Sequence, residues 1–534
     1  MPETNLNILI RDSVLKVGEV SEVSGQKVLI KVDKSKNSSD LFFNGEIVKN
    51  ISVGSFIQVR KGYVTITIGK TPNEGMDINI SVDKLFSSHI AIFGNTGSGK
   101  SNTLAKLYSS LFNHPQINCN EKFKDNCKYL LFDFNGEYSS NDCICCNKKV
   151  YKLSTYKLEG GDKIKLPVNT ILDNSFFSII AEATDKTQKP FIKRSLDFYI
   201  RIKDSDNPEE YMKNIIRKRI NAILTMADKE KAVLLIDYLR NILPKDYDED
   251  NIIDIDCDID WNNKNSEYVF KPTNSYLRTN PDKIPNTIIY KRVDNFKIKE
   301  NLLDMIISVL YLQLIGDVLS NRSVNEHIAP VINRLQSRKK DIDKIFEFID
   351  SSDIWLNQNI IVVDLKNVNI GMKKIVPLII SKFLYEEQKK YTNKILNIII
   401  DEAHNILSKD SSRESETWKD YRLETFEEII KEGRKFGVFI TISSQRPSDI
   451  SSTIISQAHN YFIHRLVNQN DLKSIETSIS YIDRITADSI PTLPVGTCIF
   501  NGISTQMPIS LAVDKLDNIK SPNSGTINIS QVIF

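Results

Sequence analysis

An eight-residue glycine-rich segment constrains the fold of this chain more than any other part of the sequence. The segment Gly94-Asn95-Thr96-Gly97-Ser98-Gly99-Lys100-Ser101 matches the pattern GxxxxGK followed by Ser or Thr. It follows the apolar run His89–Phe93 and opens a stretch of helical period, Ser101–Phe112. Runs that are apolar on both faces are typical of parallel sheets covered by helices. The sequence therefore predicts an α/β fold that contains a strand, loop and helix in this order.

The same loop has the groups needed to bind the phosphates of a nucleotide. Its glycines let successive backbone N–H groups point inward, and the helix N-terminus adds a partial positive charge. We expect Lys100 to reach the β- and γ-phosphates of ATP and Ser101 to ligate Mg²⁺. The alternative is a flexible Gly/Ser turn. The predicted nucleotide-binding residues are Gly94, Asn95, Thr96, Gly97, Ser98, Gly99, Lys100, Ser101 and Asn102.

A second apolar run ends in two acids. Ile395–Ile400 leads directly into Asp401-Glu402-Ala403-His404, so both carboxyl groups follow a buried strand at the edge where such sheets bind ligands. We expect Asp401 to hold Mg²⁺ through water, and Glu402 to orient and deprotonate the attacking water. The alternative is a helix N-cap Asp with a neighbouring Glu. For His404, a structural role and a phosphate-sensing role both remain open.

Two further residues fit ATP hydrolysis shared between subunits. Glu424–Lys435 has helical period and ends at Gly433-Arg434-Lys435, where Arg434 is a candidate arginine finger. Contact with a DNA backbone and a charge that complements the helix dipole are the alternatives. After the strand Val438–Ser443, Gln445 is a candidate sensor that hydrogen-bonds the lytic water, or else a loop amide. Arg446 and Arg465 are weaker candidates.

The spacing of the motifs favours a site completed by another subunit. About 300 residues separate Lys100 from Asp401, and no Gln-x-x-Gly-Arg-type segment of a second helicase lobe follows.

Asp133, at the end of another strand, and nearby Glu137 could tune Mg²⁺ or the water, whereas an Asn-Gly turn is the alternative reading of this segment.

The changing pattern along the chain predicts the domain organisation. Short alternating strands at 10–70, which include Ser55–Val59 and Val64–Ile68, favour a small antiparallel barrel or sandwich. Helical period dominates about 170–345. The stretch 244–290 is polar and is expected to form loops. We predict an N-terminal β-barrel (1–76), an α/β core in two halves (77–170 and 351–514), a helical insertion between them (171–350) and a tail (515–534).

Composition restricts the partners and the compartment. The 70 basic and 68 acidic residues give a net charge of +2, so a polyanion must be met by a local patch. No signal peptide and no apolar run of roughly 18 residues is evident, which favours a cytoplasmic protein without a membrane. Seven cysteines, an odd number, favour a reducing compartment. Five lie between Cys119 and Cys146, where a metal site and plain loop thiols are the two readings.

Taken together, five motifs resemble the HerA family of the HerA–FtsK group of motor ATPases. They are GNTGSGKS, DFNGEY, IIIDEAHN, KEGRKFGVFITISSQRPS and HRLVNQND. The resemblance implies a RecA-like P-loop ATPase core with an N-terminal HAS barrel and an inserted helical bundle. It implies a bacterial homo-hexameric ring with double-stranded DNA in its channel, and anti-phage defence is one of the roles that it implies. It also implies a partner nuclease of the NurA type, or a sirtuin-type NADase or other defence effector.

The resemblance transfers roles to individual residues. It assigns catalysis to Asp401 and Glu402, the finger to Arg434 and the sensor to Gln445, and it makes the chain a DNA-translocating ATPase for DNA end processing or defence. The alternative function is an ATP-binding ring scaffold that activates a partner effector. Two features depart from the family pattern: Ser87 and Ser88 stand where a basic residue often precedes the histidine, and the cysteine-rich loop is additional.

Basic residues that could line a DNA channel occur in three groups. Contacts between such residues and phosphates would be independent of sequence and sensitive to salt. For any one of them, a solvated surface charge is the alternative. The candidates are Lys148, Lys149 and Lys152; Lys193 and Arg194; and Arg334, Arg338, Lys339 and Lys340.

Overall fold

The computed structural model divides the chain into two compact units, Met1–Val64 and Thr65–Phe534. It describes residues 18–24, 27–32, 40–43, 46–49, 64–158, 160–248, 251–350, 354–355, 357–410, 414, 416–479, 484–505 and 507–523.

The first unit contains two antiparallel hairpins in its described residues. Gly18–Ser24 pairs with Lys27–Val32, and Asp40–Phe43 pairs with Glu46–Lys49. The strand predicted at Ser55–Val59 lies outside the described residues, so the N-terminal barrel stays a prediction.

An eleven-stranded sheet forms the centre of the second unit. Its order is β2-β1-β11-β10-β9-β3-β8-β7-β4-β6-β5, with the strands numbered along the chain. They are β1 (Thr65–Lys70), β2 (Asp77–Ser81), β3 (Ile90–Phe93), β4 (Cys127–Asp133), β5 (Lys149–Ser154), β6 (Ile360–Asn367), β7 (Ile395–Ile400), β8 (Val438–Ser444), β9 (Asn460–His464), β10 (Thr497–Gly502) and β11 (Ile509–Val513).

The seven strands from β9 to β5 in this order are parallel, and the remaining four extend the sheet in antiparallel fashion. β3 and β8 are buried at every position, which explains why they have no polar alternation. The parallel strands predicted from apolar runs are confirmed. One strand was assigned wrongly: Val64–Ile68, predicted within the N-terminal barrel, belongs to β1 and pairs with β2 and β11 of the large sheet.

Helices cover the parallel strands. Lys100–Phe112 follows β3 and packs on it, Ile370–Gln388 follows β6, and Glu416–Glu432 packs on β8. The helix predicted at Glu424–Lys435 is therefore longer at its start, and its end is a separate 3₁₀ turn, Gly433–Phe436. Shorter helices are Val82–Phe86, Pro115–Asn118, Glu121–Asn126, His404–Leu407, Ser452–Ser456, Gln469–Ser478 and Arg484–Ser489, with 3₁₀ turns at Pro447–Asp449 and Ile490–Thr492.

A mainly helical segment separates β5 from β6. It is entered by the strand Ile164–Pro167 and left by Phe346–Ile349, and these two strands pair in parallel. Its helices are Val168–Ile171, Asn174–Ala181, Gln188–Lys203, Pro208–Leu224, Lys229–Arg240, Ile288–Lys291, Leu302–Leu319 and Asn325–Ile345.

The region 244–290 is not made of loops alone, and that expectation was wrong. Ile259–Asn262, Glu267–Phe270 and Ser275–Tyr276 form a three-stranded antiparallel sheet, and Asp246–Asp248 pairs with Asn251–Ile253. A 3₁₀ turn, Lys271–Thr273, joins the second and third of these strands, a second turn, Pro281–Asn286, follows the sheet, and a third, Arg292–Asn295, lies just beyond the region. Local pairing across short turns satisfies the backbone of this polar segment.

One helix, Leu302–Leu319, is long and apolar enough to cross a membrane by length and composition. This corrects the expectation that no stretch reaches that length. Of its residues, 78% are buried within the protein, and the helix packs against Gln188–Lys203 and Asn325–Ile345. A buried core helix passes the same test of length and composition, so the finding is weak evidence for a membrane span.

Candidate nucleotide site

The carboxyl ends of the parallel strands bring the predicted site residues to one edge of the sheet. The glycine-rich loop follows β3, Asp401 and Glu402 follow β7, and Gln445 follows β8. β8 lies between β3 and β7, so Gln445 emerges between the loop and the two acids. Residues far apart in sequence thus converge, as strand-end placement predicted.

Glycine is required at two positions of the loop for different reasons. Gly97 and Gly99 have φ values of 75° and 107°, which L side chains rarely adopt. A Cβ on Gly97 would meet nothing within 4 Å, whereas on Gly99 it would lie 2.9 Å from Gly496 Cα. Gly99 therefore also permits close packing against the loop that precedes β10.

Lys100 bridges the two acids in this structure. Its Nζ lies 3.3 Å from Asp401 Oδ1, 3.1 Å from Glu402 Oε1 and 3.1 Å from Ser443 Oγ. All four side chains are buried. Burial by itself lowers the pKa of Lys100, but the carboxylates of Asp401 and Glu402 outweigh it and raise that pKa above its usual value. A charged Lys100 thus compensates two buried acids.

Glu402 has further polar partners and an unusual backbone. Its φ is 47°, in the left-handed region, which for a non-glycine residue costs roughly 1–2 kcal/mol. Gln445 Nε2 donates to Glu402 Oε1, and the Thr96 hydroxyl donates to Gln445 Oε1. His404 Nδ1 lies 3.3 Å from Glu402 Oε2, and burial lowers the pKa of His404. Backbone strain of this kind is common at functional sites.

The oxygen atoms near Ser101 suit Mg²⁺. Asp401 Oδ2 is buried and has no hydrogen-bond partner among the described residues. Ser101 is half-buried and follows Lys100, whose Nζ contacts Asp401 Oδ1. Burial, followed by the nearby Asp401 charge, raises the pKa of Glu137, which the Ser101 hydroxyl opposes. No group of three or more His, Cys, Asp or Glu side chains with metal-binding geometry occurs among the described residues. Mg²⁺ usually uses one or two carboxylates plus substrate phosphates, so the donors present fit this ion.

The structure separates the two acids of the DFNGEY segment. Asp133 accepts hydrogen bonds from the backbone N–H groups of Gly136, Glu137 and Tyr138 at 2.7, 3.0 and 2.8 Å. Its carboxylate therefore organises the turn, which supports the turn reading for this residue. Burial raises the pKa of Asp133 to about 7. Glu137, in contrast, lies within electrostatic reach of Asp401 and Ser101.

Sequence reasoning missed His464 and Ser443. His464 ends β9, is fully buried, and lies 2.8 Å from Thr103 Oγ1 through Nε2 and 3.0 Å from the Thr497 carbonyl through Nδ1. Burial lowers its pKa to about 4. A Cβ on Gly94 would lie 2.6 Å from His464 Cβ, so His464 packs directly against the first residue of the loop. The available sequence signal was a polar residue at the carboxyl end of an apolar strand.

A polar cavity of about 550 Å³ opens beside the loop. Thr96 and Gln445 lie in its wall, and Arg446 is exposed there with its guanidinium 3.9 Å from Asp449. The remaining lining residues are Asn95, Ser448, Asn468, Asn470 and Asp471, which place part of the HRLVNQND motif at the site.

Two predicted residues are not brought into this cluster. Arg434 is exposed in the turn before β8, at the strand's amino end. β8 has seven residues, so Arg434 and Gln445 are separated by roughly 20 Å of strand. The Asn102 side chain donates to the Asp514 carbonyl (3.1 Å) and accepts from the Leu516 N–H (3.2 Å). Its expected contact with nucleotide stays a prediction.

Several candidate DNA-binding residues form hydrogen bonds or ion pairs within the chain. Lys148 donates to the backbone carbonyls of Tyr138, Ser140 and Cys143, and burial lowers the pKa of Lys148. These contacts favour a structural role for Lys148, and its contact with DNA stays a prediction. Arg194 pairs with Asp317, Arg334 donates to the carbonyls of Ala181 and Glu182, Arg338 pairs with Glu182, and Lys339 pairs with Asp304. Lys149 is partly buried, and Lys152, Lys193 and Lys340 are exposed.

The cysteine-rich loop contains free thiols. Cys143 and Cys145 are buried, and burial raises the pKa of each thiol to about 11. Such thiols are mostly protonated at neutral pH and are poor metal ligands in that form. This favours the reading of Cys143 and Cys145 as plain thiols.

The strand–loop–helix unit, with a lysine on strand-end acids, places the protein in the P-loop class of α/β proteins. Residues 66–384, more than half of the chain, match the family described as "Helicase HerA, central domain". The chain belongs to this HerA helicase family, as the motif resemblance indicated.

Curated relatives agree with this assignment. The DNA double-strand break repair helicase HerA of Sulfurisphaera tokodaii is 24% identical over 465 residues, which cover 85% of this chain and 70% of that protein. The protein of the same name from Saccharolobus solfataricus is 22% identical over 463 residues, or 85% of this chain and 69% of that protein. Among solved structures, VirB4 of Thermoanaerobacter pseudethanolicus matches with a TM-score of 0.47 and 12% identity, covering 86% of this chain and 99% of that chain.

Proposed function

We propose that this protein hydrolyses ATP and uses the energy to translocate double-stranded DNA as a homo-hexameric ring. The observation that carries the proposal is the contact of Lys100 with both Asp401 and Glu402, while Gln445 donates to the same oxygen of Glu402. A cation that can be drawn toward phosphates, a carboxylate for Mg²⁺ and a carboxylate for water are thus assembled at one sheet edge.

Each residue has a separate task in this proposal. The loop N–H groups and Lys100 bind the phosphates, and Ser101 and Asp401 would hold Mg²⁺, which neutralises phosphate charge when bound. Glu402 accepts a proton from the attacking water, and Gln445 orients that water by hydrogen bonding. When Lys100 turns to the phosphates, Glu402 loses its cation and becomes a better proton acceptor.

The ring supplies the remaining positive charge. Arg434 lies at the amino end of β8, too far along the strand to reach its own Glu402. Its exposure supports a role across a subunit boundary, where it would stabilise charge on the γ-phosphate of a neighbouring site.

DNA and effector partners belong to the same proposal. The relatives named as DNA double-strand break repair helicases support a DNA substrate. Lys152, Lys193 and Lys340 remain the exposed candidates for phosphate contacts in the channel. We propose a cytoplasmic protein that works with a NurA-like nuclease, or with a sirtuin-type NADase or other effector of anti-phage defence.

The test is ATP hydrolysis by the full chain with and without linear double-stranded DNA at several salt concentrations. We expect stimulation by DNA that weakens as salt rises, and loss of hydrolysis in Lys100→Ala but not in Lys264→Ala, which makes the same change at an exposed position outside the site. A rate of ATP hydrolysis that does not change when DNA is added would contradict DNA translocation. If Glu402→Gln kept full activity with the co-purified effector, the ATP-binding scaffold would replace the motor as the better account.

A further inference from the structure

Two neighbouring side chains hold the amide of Gln445, one at each end. A carboxylate only accepts hydrogen bonds, so the Nε2 end of Gln445 must face Glu402, to which it donates. The Oε1 end then faces Thr96, and only a donor can satisfy it there. The Thr96 hydroxyl is that donor. Without it the Oε1 end has no partner there, and the contact with Glu402 alone holds the amide.

We propose that Thr96 is a positioning residue that anchors the Oε1 end of the Gln445 amide, so that the amide is held in place for ATP hydrolysis. The inference rests on the proposed function, because it concerns the residue that orients the attacking water. Thr96 belongs to the phosphate-binding loop, and its predicted phosphate contact uses the backbone N–H, which any side chain retains. The side chain is therefore available for a second task.

The contacts form a continuous series from the loop to the catalytic carboxylate. Thr96 donates to Gln445, Gln445 donates to Glu402 Oε1, and His404 Nδ1 lies 3.3 Å from Glu402 Oε2. Thr96 and Gln445 also share the wall of the 550 Å³ cavity beside the loop. A change in the loop when phosphates bind is thus passed to the amide that faces the water.

The hydroxyl, and not the size of the side chain, is the testable feature. Valine has the shape of threonine but cannot donate, whereas serine keeps the donor. Thr96 is exposed, so Thr96→Val should fold normally. Thr67 on β1 gives a matched control: its hydroxyl donates to Asn79 Oδ1 in the antiparallel extension, and Thr67→Val makes the same chemical change outside the site.

The experiment measures DNA-stimulated kcat and KM, together with the Kd of a fluorescent ATP analogue. For Thr96→Val we expect kcat to fall about tenfold with Kd changed less than about twofold, the pattern of an interaction used only in the transition state. Thr96→Ser should recover most of the loss, and Thr67→Val should resemble the wild type. In a Gln445→Ala background, Thr96→Val should cause no further loss, because the two residues act through one contact.

The outcomes separate the two ideas. If the wild-type protein hydrolyses ATP and Thr96→Val retains its kcat, or if the losses multiply in the double variant, this inference is wrong while the proposed function stands. A large rise in Kd for Thr96→Val would also overturn it, because Thr96 would then act in binding. If the wild-type protein binds the analogue without hydrolysis, the proposed function itself fails.

Discussion

Replacing Glu402 by glutamine should separate nucleotide binding from hydrolysis in opposite directions. Glu402 holds Lys100 through a 3.1 Å contact and also serves as the proposed proton acceptor. Glutamine is nearly the same size and can still accept a hydrogen bond from Lys100, but it carries no charge. The variant should therefore bind ATP more tightly and hydrolyse it far more slowly.

The structure allows both effects to be estimated. Lys100 keeps its charge, so its hydrogen bond to glutamine stays within the range of roughly 1.5–3 kcal/mol for bonds that involve a charged group, but near the lower end because the partner is neutral. We therefore take the cost of releasing Lys100 to be lower by about 1 kcal/mol. This difference corresponds to about fivefold tighter ATP binding. Loss of the general base should lower kcat by roughly 10² to 10⁴. Asp401, 3.3 Å from Lys100, limits the gain because it retains its charge.

Two measurements test this reasoning. Equilibrium titration with a fluorescent ATP analogue gives Kd, and single-turnover hydrolysis gives the rate of the chemical step. Ser443→Ala is the matched control, because Ser443 Oγ is the uncharged partner of Lys100 at 3.1 Å. We expect that variant to change Kd less than Glu402→Gln does and to keep most of its hydrolysis. Weaker ATP binding by Glu402→Gln would refute the view that Glu402 competes with phosphate for Lys100.

Three further predictions concern the structure around the site. Gly99→Ala should lower the thermal unfolding midpoint and abolish binding of the ATP analogue, because φ is 107° and the Cβ would lie 2.9 Å from Gly496 Cα. Gly97→Ala should have a smaller effect, because its Cβ would meet nothing within 4 Å. Equal effects of the two substitutions would contradict this packing argument. The pKa of His464 is lowered to about 4 in the folded state against 6.5 when exposed, so its stabilising contribution is present above pH 6.5 and is lost as pH falls through 4. Denaturant unfolding should show a free energy of unfolding that is lower at pH 5 than at pH 7, with about 2 kcal/mol lost to the protonation of His464. His464→Gln should reduce this difference between the two pH values. An unchanged difference would show that other groups cause it. Lys148→Met removes the donor of three backbone carbonyls and should destabilise the protein by roughly 1–3 kcal/mol in the same assay; an unchanged midpoint would show that water replaces the lysine.

The strands of the parallel sheet could be predicted because burial on both faces produces solid apolar runs such as Val438–Ser444. Their polar ends then located Asp401, Glu402 and Gln445 at one edge. The partner of a strand was harder to predict. β1 has an ordinary alternating pattern, and its pairing with β11 joins parts of the chain more than 400 residues apart.

The contacts that complete the site have no local sequence signature. Thr96 and Gln445 are 349 residues apart, and their hydrogen bond depends on β8 lying next to β3. Lys148 resembled a surface lysine because its acceptors are backbone carbonyls, which every residue has. Asp133 likewise resembled a catalytic acid at a strand end until three backbone donors were found around its carboxylate.

The Asn102 side chain links residues 514–516 to the helix that follows the phosphate-binding loop. The helix that begins at Lys100 holds the backbone of Asp514 and Leu516 through the Asn102 amide, and Lys106 pairs with Asp514 at 3.2 Å. A shift of this helix on ATP binding therefore displaces residues 514–516, and tension on those residues acts back on the helix. A fluorophore attached shortly after Leu516 would consequently report whether the phosphate-binding loop holds ATP. A rigid fusion at the same point would oppose the shift of the helix in each cycle of ATP hydrolysis.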